Sequence, residues 1–266
     1  MQPLLIVLPC WEDDASRAET LVDWIWQLNA REKQGHALIL CAPGVHGEMI
    51  EKLRISADLA FVSFSLIHLP QWPVGPQGKD MGINMMALTA AGMVQSEFGW
   101  PWLWLEPDAI PLKKGWLLGL AQAYHDQPRR YFGSALMYKG KDGTPDKKFL
   151  ARVAIYPQDA CGDLAPFCQG GHPFHVNPTL VERACRTTLL QNGRFNGDVN
   201  TLRPDALLFH TDKEQLLIPI LREQVDTKAL ANRPVLLQQL QQLLPEKKVD
   251  KRSREYRETI GRSKAG

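Results

Sequence analysis

Residues 100–112 read WPWLWLEPDAIPL. Trp and Leu fill five of the first six positions, and then two carboxylates, Glu106 and Asp108, flank Pro107. A short continuous apolar run of this kind has the pattern of a buried strand, here over 101–105. Two acids separated by one residue can point to the same side of an extended segment, and Pro107 and Pro111 stiffen it. Carboxylates held together repel unless a proton or a cation lies between them. A hard divalent cation carrying phosphate oxygens resolves that repulsion, because Mg²⁺ and Mn²⁺ favour one or two carboxylates plus substrate phosphate. The plainer alternative is a strand-end turn in which Asp108 bonds its own backbone.

Outward from this stretch, the first half of the chain alternates strand and helix. Apolar runs predict strands over 3–9, 37–42, 58–66 and 131–138. Helical spacing, as in Leu21, Trp24, Ile25 and Leu28, predicts helices over 15–30, 47–54, 80–96 and 114–126. The Pro- and Gly-rich residues 68–79 read as a loop. After residue 139 the pattern becomes irregular. A polar turn cluster leads to a strand RVAIYP at 152–157, a long loop over 159–178, a helix over 178–192 and a strand ending near 210. The fold class is α/β, with a mixed central sheet flanked by helices. One domain is expected over 1–215, divided into a half at 1–138 and a half at 139–215, with a helical extension over 216–266. In open sheets of this class, ligands bind beyond the carboxyl ends of the strands, and Glu106 and Asp108 sit at such an end.

The bulk properties narrow the function classes. At 266 residues, with 44% hydrophobic and 23% charged residues, the chain can bury a core without disulfide or metal staples. A net charge of +2 excludes a strong overall polyanion binder. The charge is uneven, since residues 246–266 carry eight Lys or Arg against four Asp or Glu. No secretory signal and no run of about 18 apolar residues is present, so a cytoplasmic protein without a membrane partner is expected. The five cysteines lack framework spacing and read as free thiols. Cys161, Cys168, His172 and His175 are zinc-ligand types, yet their spacing fits no familiar finger or ribbon. GPQGKDMG at 75–82 lacks the spacing of a phosphate loop, and no G-x-S-x-G hydrolase signature occurs.

The order of three segments carries a family resemblance. LLIVLPCWEDD (4–14) is a strand ending in Pro and acids. GKDMGINMMALTAA (78–91) is a Gly-Lys loop entering a helix. WLWLEPDAIPL (102–112) is a strand ending in an acidic pair. This order resembles the GT-A fold glycosyltransferases, the nucleotide-diphospho-sugar transferase group, over roughly residues 3–215. The resemblance implies a GT-A-like fold and a hexosyl- or pentosyltransferase activity with a nucleotide-sugar donor, a UDP-sugar by preference. The half at 1–138 would bind the nucleotide sugar and the half at 139–215 the acceptor. The family's D-x-D motif falls on Glu106 and Asp108, which implies a Mn²⁺ or Mg²⁺ site with Asp108 as principal ligand. The Glu in first place leaves open whether Glu106 meets the metal, the ribose or solvent.

His210, in LLFHTDK (207–213), matches a late metal-binding histidine, and Lys213 a phosphate-neutralising cation. Lys79, at a helix entrance, would approach a phosphate or the base. Pro9, Trp11 and Asp13 or Asp14 would meet the nucleoside. If the enzyme inverts, Asp198 or Asp163 would take the acceptor proton. Similar proteins occur in bacteriophages that glycosylate hydroxymethylated DNA bases, and the basic tail could follow a phosphate backbone, so such a base is the leading acceptor. The competing readings are a nucleotidyltransferase that makes activated sugars and a non-catalytic nucleotide- or carbohydrate-binding protein of the same fold.

Overall fold

The computed structural model describes residues 2–71, 78–138, 147–169, 173–211, 213 and 215–225, without the side chains of 78–80, 138 and 147. Its first half alternates β1 (Leu5–Cys10), α1 (Ala15–Leu28), β2 (Gln34–Cys41), α2 (Glu48–Ala60), β3 (Phe61–His68), α3 (Gly78–Met93) and β4 (Trp102–Trp104). β5 (Ala109–Pro111), α4 (Trp116–His125), β6 (Tyr131–Tyr138), β7 (Lys147–Tyr156) and α5 (Cys161–Gln169) follow. α6 (Pro178–Glu182), β8 (Ala184–Arg186), β9 (Leu190–Asn192) and β10 (Leu208–His210) come last.

Seven strands form the central sheet in the order β3-β2-β1-β4-β7-β6-β8. β3, β2, β1 and β4 run parallel, and β7 runs antiparallel to both β4 and β6. The chain builds outward from β1 to β3, then returns to lay β4 on the other flank of β1. That reversal opens a crevice beyond the carboxyl ends of β1 and β4. β1 is buried along its whole length because both faces of the sheet are covered.

A second sheet of three strands, β5-β10-β9, sits beside this crevice. β10 runs antiparallel to β5 and parallel to β9, and His210 falls in register with Ala109 on one side and Asn192 on the other. This small sheet joins chain segments about a hundred residues apart at the tip of β4.

Aromatic packing fixes β4. Trp102 and Trp104 are fully buried. Trp102 stacks on Tyr156 at 4.5 Å, and Trp104 meets Phe174 edge-on at 5.3 Å. Each tryptophan removes about 150–250 Å² from water, worth roughly 4–6 kcal/mol before conformational entropy is counted. Their indole N–H groups stay satisfied: Trp102 donates to the Pro157 carbonyl at 3.1 Å and Trp104 to the Glu106 carboxylate at 3.4 Å. On the other side of the crevice Trp24 of α1 donates to the Pro111 carbonyl at 2.9 Å, tying that helix to β5.

The structure departs from the sequence expectations in four places. α2 continues to Ala60 and β3 starts at Phe61, because Leu53, Ala57 and Ala60 keep helical spacing and are fully buried. The expected loop over 159–178 contains α5, whose internal Pro166 gave it a loop-like composition. The expected helix over 178–192 stops at Glu182. The chain after it pairs as β8 with β6 and as β9 with β10, so tertiary partners override the local preference. Glu106 and Asp108 also lie on a turn rather than on an extended segment, with the Ala109 N–H donating to the Glu106 carbonyl at 2.9 Å.

The compact body ends at Arg222. A helix beginning at residue 217 follows the expected boundary at 215, and its Leu217 and Ile218 are fully buried. The remaining extension and the basic tail lie outside the described residues.

Candidate metal centre

β4 delivers Glu106 and Asp108 to the crevice, and β10 delivers His210. One ligand atom from each of the three lies within 4.8 Å of the others. His210 Nε2 is 3.0 Å from Glu106 Oε2 and 3.5 Å from Asp108 Oδ1. Its other ring nitrogen, Nδ1, is 2.8 Å from Asn192 Oδ1. Arg152, from β7, places Nε 2.9 Å from Glu106 Oε1. Glu106 therefore gives one oxygen to Arg152 and Trp104 and turns the other toward His210.

Burial and charge act against each other here. Burial alone would raise the Glu106 and Asp108 pKa values, but the His210 hydrogen bonds and the Arg152 charge outweigh it, and both carboxyls titrate below their ordinary range. Burial alone would lower His210, yet the hydrogen bonds to Asp108 and Glu106 raise it. In the protein alone, a proton on His210 thus satisfies the two carboxylates. A divalent cation fits the same place, since two hard carboxylate oxygens and an imidazole nitrogen are a normal donor set for Mn²⁺ or Mg²⁺.

The triad borders a cleft of about 170 Å³ lined by Pro9, Trp11, Asp14, Arg17, Glu106, Pro107, Asp108, Arg152 and Lys213. Three carboxylates thus face three permanent cations. The back of the cleft is pinned by Gln215, which donates to the Arg17 carbonyl at 2.8 Å and the Pro107 carbonyl at 2.9 Å. Arg17 in turn pairs with Asp14 and donates to the Lys213 carbonyl at 2.8 Å. The backbone turns sharply here: Thr211 has φ 83° and Gln215 φ 52°. A left-handed β-branched residue is a strained one, and strain of this kind collects at ligand sites.

Of the residues singled out in the sequence, Pro9, Trp11, Glu106, Asp108 and Lys213 line this cleft, and His210 lies beside the two acids. Of the two acids weighed after β1, Asp14 lines the cleft, while Asp13 is exposed on the turn at Glu12–Asp14. Lys79 falls in the first turn of α3, with its side chain outside the described set.

Neither candidate base is among the residues that line this cleft. Asp198 is exposed and caps a short turn, accepting from the Asn200 backbone N–H at 2.9 Å. Asp163 accepts from Tyr131 Oη at 2.6 Å and Arg183 Nη1 at 2.9 Å, with Arg130 at 3.5 Å. Tyr131 opens β6 beside the end of β7, where Tyr156 pairs with Trp102 at the start of β4, whereas Glu106 follows the other end of β4. Asp163 is thereby held at the far end of the sheet.

Of the four zinc-type residues, His172 lies outside the described residues. Cys161 and Cys168 are free thiols on α5, burial raising Cys168 to about 11, and His175 packs against Phe149 and Phe174. Arg152, Asn192, Arg17 and Gln215 went unnoticed in the sequence, because each reaches the site from an element whose pattern carries no marker of its role.

No protein-family model matches the sequence, and no curated protein does either. Solved structures do match. The galactosyltransferase LgtC, solved with donor and acceptor sugar analogs, aligns with a TM-score of 0.53 at 10% identity over 84% of this chain and 96% of its own. The bifunctional glycosyltransferase WbbM aligns at 0.49 and 13% identity, over 79% of this chain and 46% of its own. Mouse xyloside xylosyltransferase 1 aligns at 0.47 and 7% identity, over 80% and 98%. The alignment with LgtC shows that the protein has the GT-A glycosyltransferase fold, and an acidic triad at the switch point of its sheet could hold a divalent metal. Among the described residues, no helix is long and apolar enough to cross a membrane.

Proposed function

We propose that the protein is a metal-dependent glycosyltransferase that moves a sugar from a nucleotide-sugar donor, a UDP-sugar, to a hydroxyl acceptor. The observation that carries this reading is the meeting of Glu106, Asp108 and His210 at the carboxyl end of β4, within 4.8 Å of one another, on a glycosyltransferase fold. Asp108, Glu106 and His210 would hold Mn²⁺ or Mg²⁺, which supplies Lewis-acid neutralisation of the diphosphate leaving group. Lys213 and Arg17 would bind the phosphate oxygens from the opposite wall, and Pro9, Trp11 and Asp14 would receive the nucleoside. Arg152 restrains one oxygen of Glu106 and so fixes which one faces the ligand.

Charge balance favours joint binding. Three carboxylates and three cations line the cleft, so a divalent cation alone or a diphosphate alone leaves excess charge, while the pair leaves none. Lys213 and Arg17 are also the cations that would leave a nucleoside diphosphate bound after the sugar departs. The acceptor enters from the second half of the chain. Its reading as a hydroxymethylated DNA base rests on the basic tail, and protein and small-molecule hydroxyls are the alternatives.

The test is thermal shift with a panel of nucleoside diphosphates and nucleotide sugars, with and without Mn²⁺. A ligand at a hundred times its dissociation constant adds about 2.7 kcal/mol to stability. The reading expects Mn²⁺-dependent stabilisation by a uridine nucleotide, followed by sugar transfer to one member of an acceptor panel that includes hydroxymethylated DNA. A well-folded protein that no nucleotide stabilises would remove the transferase reading and leave the non-catalytic binding protein.

A further inference from the structure

The small sheet does more than bring His210 to the carboxylates. Asn192 of β9, His210 of β10 and Ala109 of β5 occupy one register row, with Ala109 directly following Asp108. Side chains that share a row across neighbouring strands stand side by side on the same face. Asn192 Oδ1 consequently lies 2.8 Å from His210 Nδ1, while Nε2 of the same ring lies 3.0 Å from Glu106 Oε2 and 3.5 Å from Asp108 Oδ1.

A ring nitrogen that faces a carbonyl oxygen must carry the hydrogen, since two acceptors do not bond. Asn192 Nδ2 is sealed from solvent and has no hydrogen-bond partner among the described residues. Leaving a buried donor unmade is costly, so this orientation of the amide persists only where its oxygen makes a bond worth keeping. The opposite orientation would have Asn192 donate to Nδ1, and His210 would then donate from Nε2 to Glu106. That arrangement would put the Asn192 oxygen in the sealed place with no donor and would leave no lone pair on Nε2 for a cation.

We propose that Asn192 is a positioning residue that fixes His210 in its Nδ1–H form, so that Nε2 presents a lone pair to a divalent cation between Glu106 and Asp108. The inference rests on the metal-dependent reading above and adds to it a residue that touches neither metal nor substrate. Partners of metal-ligating histidines act this way in general, holding the tautomer and the ring orientation. Asn192 is suited to the role because its strand is hydrogen-bonded to the strand that carries the ligand, so the two side chains cannot drift apart.

The experiment is a Mn²⁺ titration followed by electron paramagnetic resonance, in the presence of UDP, on the full chain and on Asn192→Leu, Asn192→Asp and His210→Gln. Thermal melting of each variant reports whether it folds. The wild type is expected to bind Mn²⁺, Asn192→Leu to bind 10–100-fold more weakly, and Asn192→Asp, whose side chain can only accept, to bind at least as well as the wild type. In the Mg²⁺-loaded protein, the ring ¹⁵N shifts of His210 are expected to show a protonated Nδ1. Wild-type binding matched by Asn192→Leu, or a protonated Nε2 in the loaded protein, overturns the role of Asn192 and leaves the metal site standing. Failure of the folded wild type to bind Mn²⁺ overturns the metal site and this inference together.

Discussion

The two ends of the central sheet each carry a carboxylate cluster, and they differ in what remains to be satisfied. At the amino-terminal end of β4, three donors, Tyr131, Arg183 and Arg130, converge on the single carboxylate of Asp163. At the other end two carboxylates share their donors: Arg152 and Trp104 take one oxygen of Glu106, and its other oxygen converges with Asp108 on a single imidazole nitrogen beside an open cleft. Both clusters contain partly buried acids with lowered pKa values. Acids saturated by fixed cations fasten elements together, whereas acids that share too few donors beside open space are set to bind something. The ratio of donors to acceptors, more than burial or a shifted pKa, separates the structural cluster from the functional one.

The largest effect comes from exchanging each acid for its amide. Asp108→Asn is expected to abolish Mn²⁺-dependent nucleotide binding and to lower transfer by on the order of 10³-fold, the equivalent of several kcal/mol of metal-borne stabilisation. Its melting temperature should stay near that of the wild type. Asp163→Asn is expected to do the reverse, leaving nucleotide binding intact while losing about 1–3 kcal/mol in chemical denaturation. If Asp163→Asn stays stable and loses nucleotide binding, the division between the two ends fails.

A smaller but sharper difference lies in pH. Burial works against ionisation of Asp163, but the hydrogen bond from Tyr131 and the Arg183 and Arg130 charges lower its pKa. Its contribution is present above the ordinary Asp range and is lost as pH falls through the folded value. His210 has the opposite sign. Burial works against its charge, but Asp108 and Glu106 raise its pKa. In the metal-free protein its contribution is present below the ordinary histidine range and is lost as pH rises through the folded value. Denaturation with a chelator present should therefore find the acid limb flattened in Asp163→Asn and the limb above the ordinary histidine range flattened in His210→Gln. Mn²⁺ affinity should climb across that upper window, because the metal displaces the His210 proton.

The smallest effect tests the strain beside the site. Thr211→Gly removes the cost of a β-branched residue at φ 83° and also removes the bond from its hydroxyl to the Gly193 carbonyl. The two changes offset, and stability should move by less than about 1 kcal/mol. The segment that carries Lys213 loosens, so the nucleotide-sugar KM is expected to rise while kcat holds. A fall in kcat with KM unchanged would instead place Thr211 among groups that act only in the transition state.

Much of the fold was legible in the residues. The apolar runs at β1 and β4 and the helical spacing of Leu21, Trp24, Ile25 and Leu28 are local signals, and the structure follows them closely. The acidic turn was legible too, since a tryptophan-rich strand that stops at Glu-Pro-Asp puts its charges at a strand end in whatever sheet it joins. Less legible was the region after residue 158. Pro166 disguised α5, and β8 and β9 are three-residue strands that exist because β6 and β10 offer edges to them. Asp163 and Asp198 looked alike in sequence, each an acid in a stretch that reads as loop, and nothing local distinguishes an acid beside the cleft from one that caps a turn or holds two arginines.

The sequence by itself determined the strand–helix alternation of the first half, apart from β5 and the α2–β3 boundary, and that an acidic pair ends β4, because periodicity and turn chemistry act over a few residues. Only the tertiary structure decided which acids meet a partner. Glu106 and His210 are 104 residues apart and Asn192 is 18 residues before His210. Their meeting depends on the register of a three-stranded sheet whose pairings no single segment encodes.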